Sequence, residues 1–230
     1  MTYRQLIDSS INRLTPLYEP GEARWLVRIM MEHFTRMTRT DLMLRGDEEA
    51  SQLLEEKVSA VIERLLRNEP IQYILGETYW HGLTLKVTPE VLIPREETSE
   101  LIDIIADDCG GRSDLNVADL CTGSGCIAIA LARVLPFSTV TATDISAGAL
   151  VVARENASAC KVKITFIQGD ILRGVPLPDG SMDVIVSNPP YICRKEEIDM
   201  NANVLDYEPH LALFVPDDDP LCFYREIGRG

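Results

Sequence analysis

Four residues, Asn188-Pro189-Pro190-Tyr191, directly follow a short apolar run, Val184-Ile185-Val186. If that run is a buried strand, the tetrapeptide stands at its carboxyl end, where open α/β sheets hold their ligands. Asn188 offers a side-chain carbonyl oxygen. The two prolines fix the backbone and remove two amide donors, so the local carbonyls stay free to accept hydrogen bonds. Tyr191 adds a flat aromatic face. Such a set would grip a planar NH2 group by accepting its two protons. An Asn-Pro turn after a strand accounts for the same residues equally well, so the rest of the chain decides.

A second constellation is Asp119-Leu120-Cys121-Thr122-Gly123-Ser124-Gly125, running from an apolar strand into a helix. Glycines there let the backbone turn tightly and approach a ligand, and a helix amino end favours negative charge such as a carboxylate. Asp144, at the end of the next strand, stands about where a ribose-binding acid is expected. Gly123-x-Gly125-x-x-Ala128 also fits the dinucleotide fingerprint, so NAD and S-adenosylmethionine both remain open on this motif. Gly125 serving helix packing and Asp144 capping the next helix are the plain alternatives. The combination after consecutive strands favours a nucleoside cofactor. At a third strand end, Gln168-Gly169-Asp170-Ile171, Asp170 could accept from an adenine amine and Ile171 pack on the ring. Singly, these two read as a turn residue and a core residue.

The elements that must position these residues follow from periodicity. Up to about residue 70 the pattern is helical: Leu26, Ile29, Met30 and Phe34 recur at helical spacing, as do Leu53, Leu54, Val58, Val61, Ile62, Leu65 and Leu66. Asp47 is a candidate cap for the latter helix, and Pro70 ends it. Residues 71–95 look like a β-hairpin linking two domains, with Leu83, Leu85 and Val87 alternating and Gly76 and Gly82 as punctuation. From residue 96, strands at 116–120, 139–143, 162–168 and 182–187 alternate with helices at 98–108, 126–135 and 147–159. That pattern means βαβ units, a parallel sheet and an α/β fold.

Composition narrows the partners. The 230 residues are 46% hydrophobic and 25% charged, with no run approaching a membrane span and no basic, apolar leader at the start. Six scattered cysteines without a Cys-x-x-Cys pair or a His cluster read as reduced cytosolic thiols, neither metal ligands nor a disulfide framework. A net charge of −14 would repel a polyphosphate backbone unless a basic patch overrides it. The richest basic stretch, residues 24–45, is spread along helices with Glu32 and Asp41 among its cations and reads as a solvated helical face. Nucleic acid is therefore not expected as the main partner.

The set Asp119 to Gly125, Asp144 and Asn188 to Tyr191 resembles the class I S-adenosylmethionine-dependent methyltransferases that modify amide or exocyclic NH2 groups. Pro70-Ile71-Gln72-Tyr73-Ile74-Leu75-Gly76, then Leu92-Ile93-Pro94-Arg95 with Glu97-Thr98, and Tyr207-Glu208-Pro209 are similar to the HemK/PrmC family of protein-glutamine methyltransferases. The resemblance covers nearly the whole chain and implies methylation of the glutamine amide in the Gly-Gly-Gln motif of class 1 peptide chain release factors, in the cytoplasm. It implies a helical substrate-recognition domain (1–70), a hairpin linker (71–95) and a Rossmann-like methyltransferase domain (96–230). Cys121, Thr122, Gly123, Ser124 and Gly125 would form the cofactor loop, Asp144 would hold the ribose, and Ile171 would lie near the adenine. Asn188 would contact both cofactor and substrate, with Pro189, Pro190 and Tyr191 completing the glutamine clamp. Asn188, Pro189 and Tyr191 would be the catalytic set. Trp80 stands where the family usually has Phe, and Glu96 where it usually has Pro. The family continues past position 230 through three more strands and their helices, so the expectation is a methyltransferase domain truncated at its carboxyl end, with the 182–187 strand left as an edge. Two other readings share these residues: a methyltransferase acting on the adenine amine of DNA, and a non-catalytic remnant that only binds cofactor or release factor.

Overall fold

A computed structural model describes residues 1–229, which form two compact units, Met1–Leu75 and the chain from Gly76 onward. The first unit is helical: α1 (Tyr3–Leu14), α2 (Pro20–Thr35), α3 (Arg39–Leu44), α4 (Gln52–Leu65) and the short α5 (Ile71–Leu75). Local chemistry sets these starts. Thr2 and Gln5 form a reciprocal capping box for α1, Thr38 and Asp41 do the same for α3, and Pro20 opens α2 with its ready-made φ. The cap of α4 is Ser51, whose hydroxyl accepts from the Leu54 N–H, and not Asp47, which pairs instead with Arg4. The apolar stripes close on a core of Leu14, Met30, Met31, Ile62 and Leu65, all essentially solvent-free.

Residues 71–75 are helical rather than extended. The Pro70 carbonyl accepts from both Tyr73 and Ile74, and Ile71 is buried in the helical core, so the first unit runs to Leu75. The hairpin that follows, β1 (Glu77–Trp80) and β2 (Leu83–Lys86), turns through His81 and Gly82, both at positive φ as a tight two-residue turn requires. Its inward residues Trp80, Leu83 and Leu85 belong to the core of the second unit. The hairpin is thus built into that unit and is no free-standing spacer.

The second unit continues through a 3-10 turn (Glu96–Ser99), α6 (Glu100–Cys109), β3 (Asn116–Leu120), α7 (Cys126–Val134), β4 (Thr139–Asp144), α8 (Ala147–Ala159), β5 (Thr165–Gln168) and β6 (Val184–Ser187). A smaller parallel pair, β7 (Ile192–Cys193) with β8 (Phe214–Val215), follows, with α9 (Ala202–Leu205) between them and α10 (Cys222–Ile227) after. The main sheet is parallel throughout, in the order β5-β4-β3-β6. The chain therefore steps outward from β3 to β4 and β5, then returns to the other side of β3. The carboxyl ends of β3 and β6 flank that reversal, where a crevice opens in such sheets. Register places Leu120 opposite Ser187, so the segments that begin at Cys121 and Asn188 emerge side by side. Among the described residues no helix is long and apolar enough to cross a membrane.

Candidate active site

The loop after β3 is fixed by its own polar groups. Asp119, with no solvent exposure, accepts from the Thr122 hydroxyl at 2.5 Å and from the Ala128 N–H at 3.1 Å. Its other oxygen, Oδ1, has no partner among the described residues, nor does the buried Ser124 hydroxyl. Burial pushes the Asp119 carboxyl up to about 7, against the opposing pull of those two hydrogen bonds, and the neighbouring Asp144 charge adds to the rise. Asp144 at the end of β4 accepts from the Gly123 N–H at 2.8 Å and the Ser146 N–H at 2.9 Å, and burial raises its pKa as well. Ser146 is the cap of α8, so Asp144 is not. Its carboxylate has lone pairs beyond those two bonds for further donors.

Asn156 ties this loop down from behind. It lies buried in the last turn of α8, and its Nδ2 donates to the carbonyls of Ser124 (2.9 Å) and Lys86 (3.0 Å) while its Oδ1 accepts from the Lys86 N–H at 2.7 Å. One side chain thereby joins β2, the loop and α8. An Asn inside an apolar helix is a poor helix former, and that misfit is the sequence signal for it.

These residues line a cavity of about 480 Å³. Cys121, Thr122, Gly123, Ser124, Asp144, Ile171, Asn188 and Pro190 all reach its wall, as do Ile145, Asp170 and Leu172. Gly125 does not. It starts α7 at φ 81°, and a Cβ there would stand 3.1 Å from the Cβ of Ala153, so it lets α7 and α8 approach closely. Asp170 accepts from the Leu172 N–H and caps the 3-10 turn of Ile171–Arg173. Cys121 holds a positive φ of 60°, and burial pushes its thiol up to about 12, so it is a wall and not a nucleophile.

A second, smaller cavity of about 280 Å³ lies on the other side of Asn188 and is lined by Pro189 and Tyr191 together with Met200 and Val204. Leu92, Arg95, Asn188 and Ala212 line both cavities. Asn188 therefore stands in the partition between them. Its Nδ2 donates to the Thr98 hydroxyl at 3.3 Å, and its Oδ1 has no partner among the described residues. Tyr191 is 58% exposed.

Two ties hold the remaining wall. The carboxylate of Glu208, only 4% exposed, accepts from the Arg95 guanidinium at 2.7 Å and from the Ile93 N–H at 3.2 Å. The Trp80 indole N–H donates to the Arg95 carbonyl at 2.7 Å, a bond that a phenylalanine could not make. Sequence reading passed over Thr98, Asn156 and these anchors as site residues, because each acts across 70 or more residues of chain or through a backbone group.

The described residues suit S-adenosylmethionine. The cavity is large enough for a nucleoside ligand, a carboxylate stands at the β4 end, apolar Ile145, Ile171 and Leu172 supply faces for a flat ring, and the buried Ser124 Oγ in its wall has unused capacity. A Rossmann-like sheet with a polar loop after its first strand and an Asn-Pro-Pro-Tyr partition beside it defines a class I methyltransferase acting on an NH2 group. Family models agree: residues 98–206 match the methyltransferase small domain and residues 5–76 the PrmC N-terminal domain. The chain is 42% identical to a release factor glutamine methyltransferase of Bacteroides thetaiotaomicron over 94% of its own length and 77% of the relative. The same identity and coverage hold for the enzyme of that name from Flavobacterium psychrophilum. The Streptococcus pneumoniae enzyme is 39% identical over 93% of this chain and 75% of its own. The chain belongs to the release factor glutamine methyltransferase family.

Proposed function

We propose that this protein transfers a methyl group from S-adenosylmethionine to the side-chain amide nitrogen of the glutamine in the Gly-Gly-Gln motif of a class 1 release factor. The observation that carries the reading is Asn188 in the wall shared by two cavities, one nucleoside-sized with Asp144 in its wall, the other bounded by Pro189 and Tyr191. S-adenosylmethionine, when bound, supplies the methyl on a positively charged sulfur. Thr122, Gly123, Ser124 and Asp144 hold it, with Asp144 on the ribose and Ile171 at the adenine. The glutamine amide enters on the Tyr191 side.

An amide nitrogen is a weak nucleophile because its lone pair is delocalised into the carbonyl. Asn188 Oδ1 and the Pro189 carbonyl accept the two N–H protons, fixing the plane of the NH2 and stabilising positive charge as it develops on nitrogen. Tyr191 covers the amide face and favours the same charge. The nitrogen's bond to the methyl carbon would form as the methyl–sulfur bond breaks to leave a neutral thioether, and one amide proton would pass to solvent after the transfer. Positioning supplies most of the rate, as it does wherever two reacting atoms are held in line. The Thr98 hydroxyl accepts from Asn188 Nδ2 and so braces the side chain that faces the substrate. The helical unit Met1–Leu75 contributes recognition of the protein substrate.

Mass spectrometry of a release factor incubated with the protein and S-adenosylmethionine tests the reading. A 14 Da gain on the Gly-Gly-Gln glutamine is expected, and methyl transfer to the adenine amine of DNA with none to release factor would overturn it.

A further inference from the structure

The helical unit carries a concavity of about 710 Å³, lined by α1, α2 and α3, whose chemistry the cofactor site does not use. Its floor is apolar: Val27, Met31 and Leu42 are buried there, while Trp25 and Met43 stand at 41% and 69% exposure. Four arginines, Arg4, Arg24, Arg28 and Arg39, complete the lining, and it contains no carboxylate. Arg4 pairs with Asp47 and Arg28 with Glu32, but Arg24 and Arg39 have no ion pair among the described residues. Read along the sequence, residues 24–45 form a solvated helical face; the fold sets Arg24, Arg28 and Arg39, all still exposed, beside Arg4 round one apolar hollow.

The wider charge balance makes that gathering unusual. The first 75 residues hold 10 of the 22 basic and 12 of the 36 acidic side chains, a net of −2, so the remainder carries −12. A cationic rim in a chain of −14 is a local feature set against the overall field. An apolar trough with charged edges is the form that receives an amphipathic helix, whose apolar residues fill the floor while its flanks meet the rim. The flanks that fit here are acidic.

We propose that this hollow seats an acidic amphipathic helix of the protein substrate, a segment distinct from the methylated glutamine loop. The proposal rests on the reading that the substrate is a release factor. Apolar anchors would enter between Trp25 and Met43, and Asp or Glu side chains would meet Arg24 and Arg39. Nucleic acid is the weaker occupant, since a polyphosphate has no use for the Val27, Met31 and Leu42 floor.

The test is binding of the full chain to immobilised release factor, with circular dichroism confirming helix content. R24E/R39E should weaken binding at least about tenfold while leaving S-adenosylmethionine affinity unchanged. Parental affinity should fall as salt rises from about 50 to about 300 mM, and the variant's should fall less. M43D, which alters the apolar wall without touching an arginine, should weaken binding too. Parental affinity in both variants overturns the proposal while leaving the methyltransferase reading intact. A parent that binds a labelled single-stranded RNA through Arg24 and Arg39 more tightly than release factor overturns it in favour of nucleic acid. A parent that binds no release factor overturns both readings together.

Discussion

The two sides of Asn188 are built differently. On the cofactor side every turn is held by internal bonds: Asp119 to Thr122 and Ala128, Asp144 to Gly123 and Ser146, and Asn156 to Ser124 and Lys86. On the substrate side, residues 188–191 rest on two prolines and one longer bond from Asn188 to Thr98, with Tyr191 open to solvent. A site that binds the same small cofactor in every turnover gains from being preorganised, because little ordering remains at binding. A site that must admit a loop of another protein keeps acceptors unused until that loop brings its own donors.

Removing the shared residue should have the largest effect. On the proposed mechanism Asn188→Ala deletes the acceptor for the reacting amide, and turnover on release factor should fall by roughly 10²- to 10³-fold, the scale for losing one preorganised polar contact to developing charge. The loss should appear in kcat. Near-parental turnover in this variant would end the clamp mechanism.

On the cofactor side, Asp144→Ala removes charge-assisted hydrogen bonds of about 1.5–3 kcal/mol and should weaken S-adenosylmethionine by roughly 10- to 100-fold in calorimetry. Unchanged affinity would show that Asp144 only braces Gly123 and Ser146.

Thr98→Val keeps shape but cannot accept from Asn188 Nδ2. About a tenfold drop in kcat, with KM and cofactor affinity nearly unchanged and recovery in Thr98→Ser, is the expected pattern, on the scale of one lost hydrogen bond. Equal losses in the Val and Ser variants would mean that Thr98 matters through packing alone.

The smallest effect separates structural from catalytic burial. Asp119 folds with a pKa near 7 against an ordinary 3.8, so the folded state binds the extra proton and its ionisation opposes folding. The penalty is absent below about pH 4, grows through the interval to about 7 and is constant above. Asp119→Asn should therefore raise Tm by a few degrees at pH 8, with a gain that shrinks steadily towards pH 4. A gain independent of pH would place the buried charge elsewhere.

Much of this architecture could be read directly. The limits of β3 and α8 follow from the apolar runs at 116–120 and 147–159, and the cofactor loop stands where strand and helix periods meet. The misplaced hairpin start at residues 71–75 has a physical cause: Tyr73 and Ile74 have high strand propensity, but Pro70 opens a helical turn and Ile71 is drawn into the helical core. Ser51 is the cap and not Asp47 because α4 begins only at Gln52, four residues beyond the position Asp47 could cap.

Sequence by itself determined which groups could hold a planar NH2 and where a nucleoside could lie, because those depend on residue type and on order along βα units. Tertiary structure alone decided that Asn188 stands between two cavities, that Gly125 packs helices and does not line the site, and that four arginines scattered over α1, α2 and α3 meet round one hollow. Each of these depends on the distance between residues remote along the chain. Such distances are set by sheet register and helix packing, which local propensity does not encode.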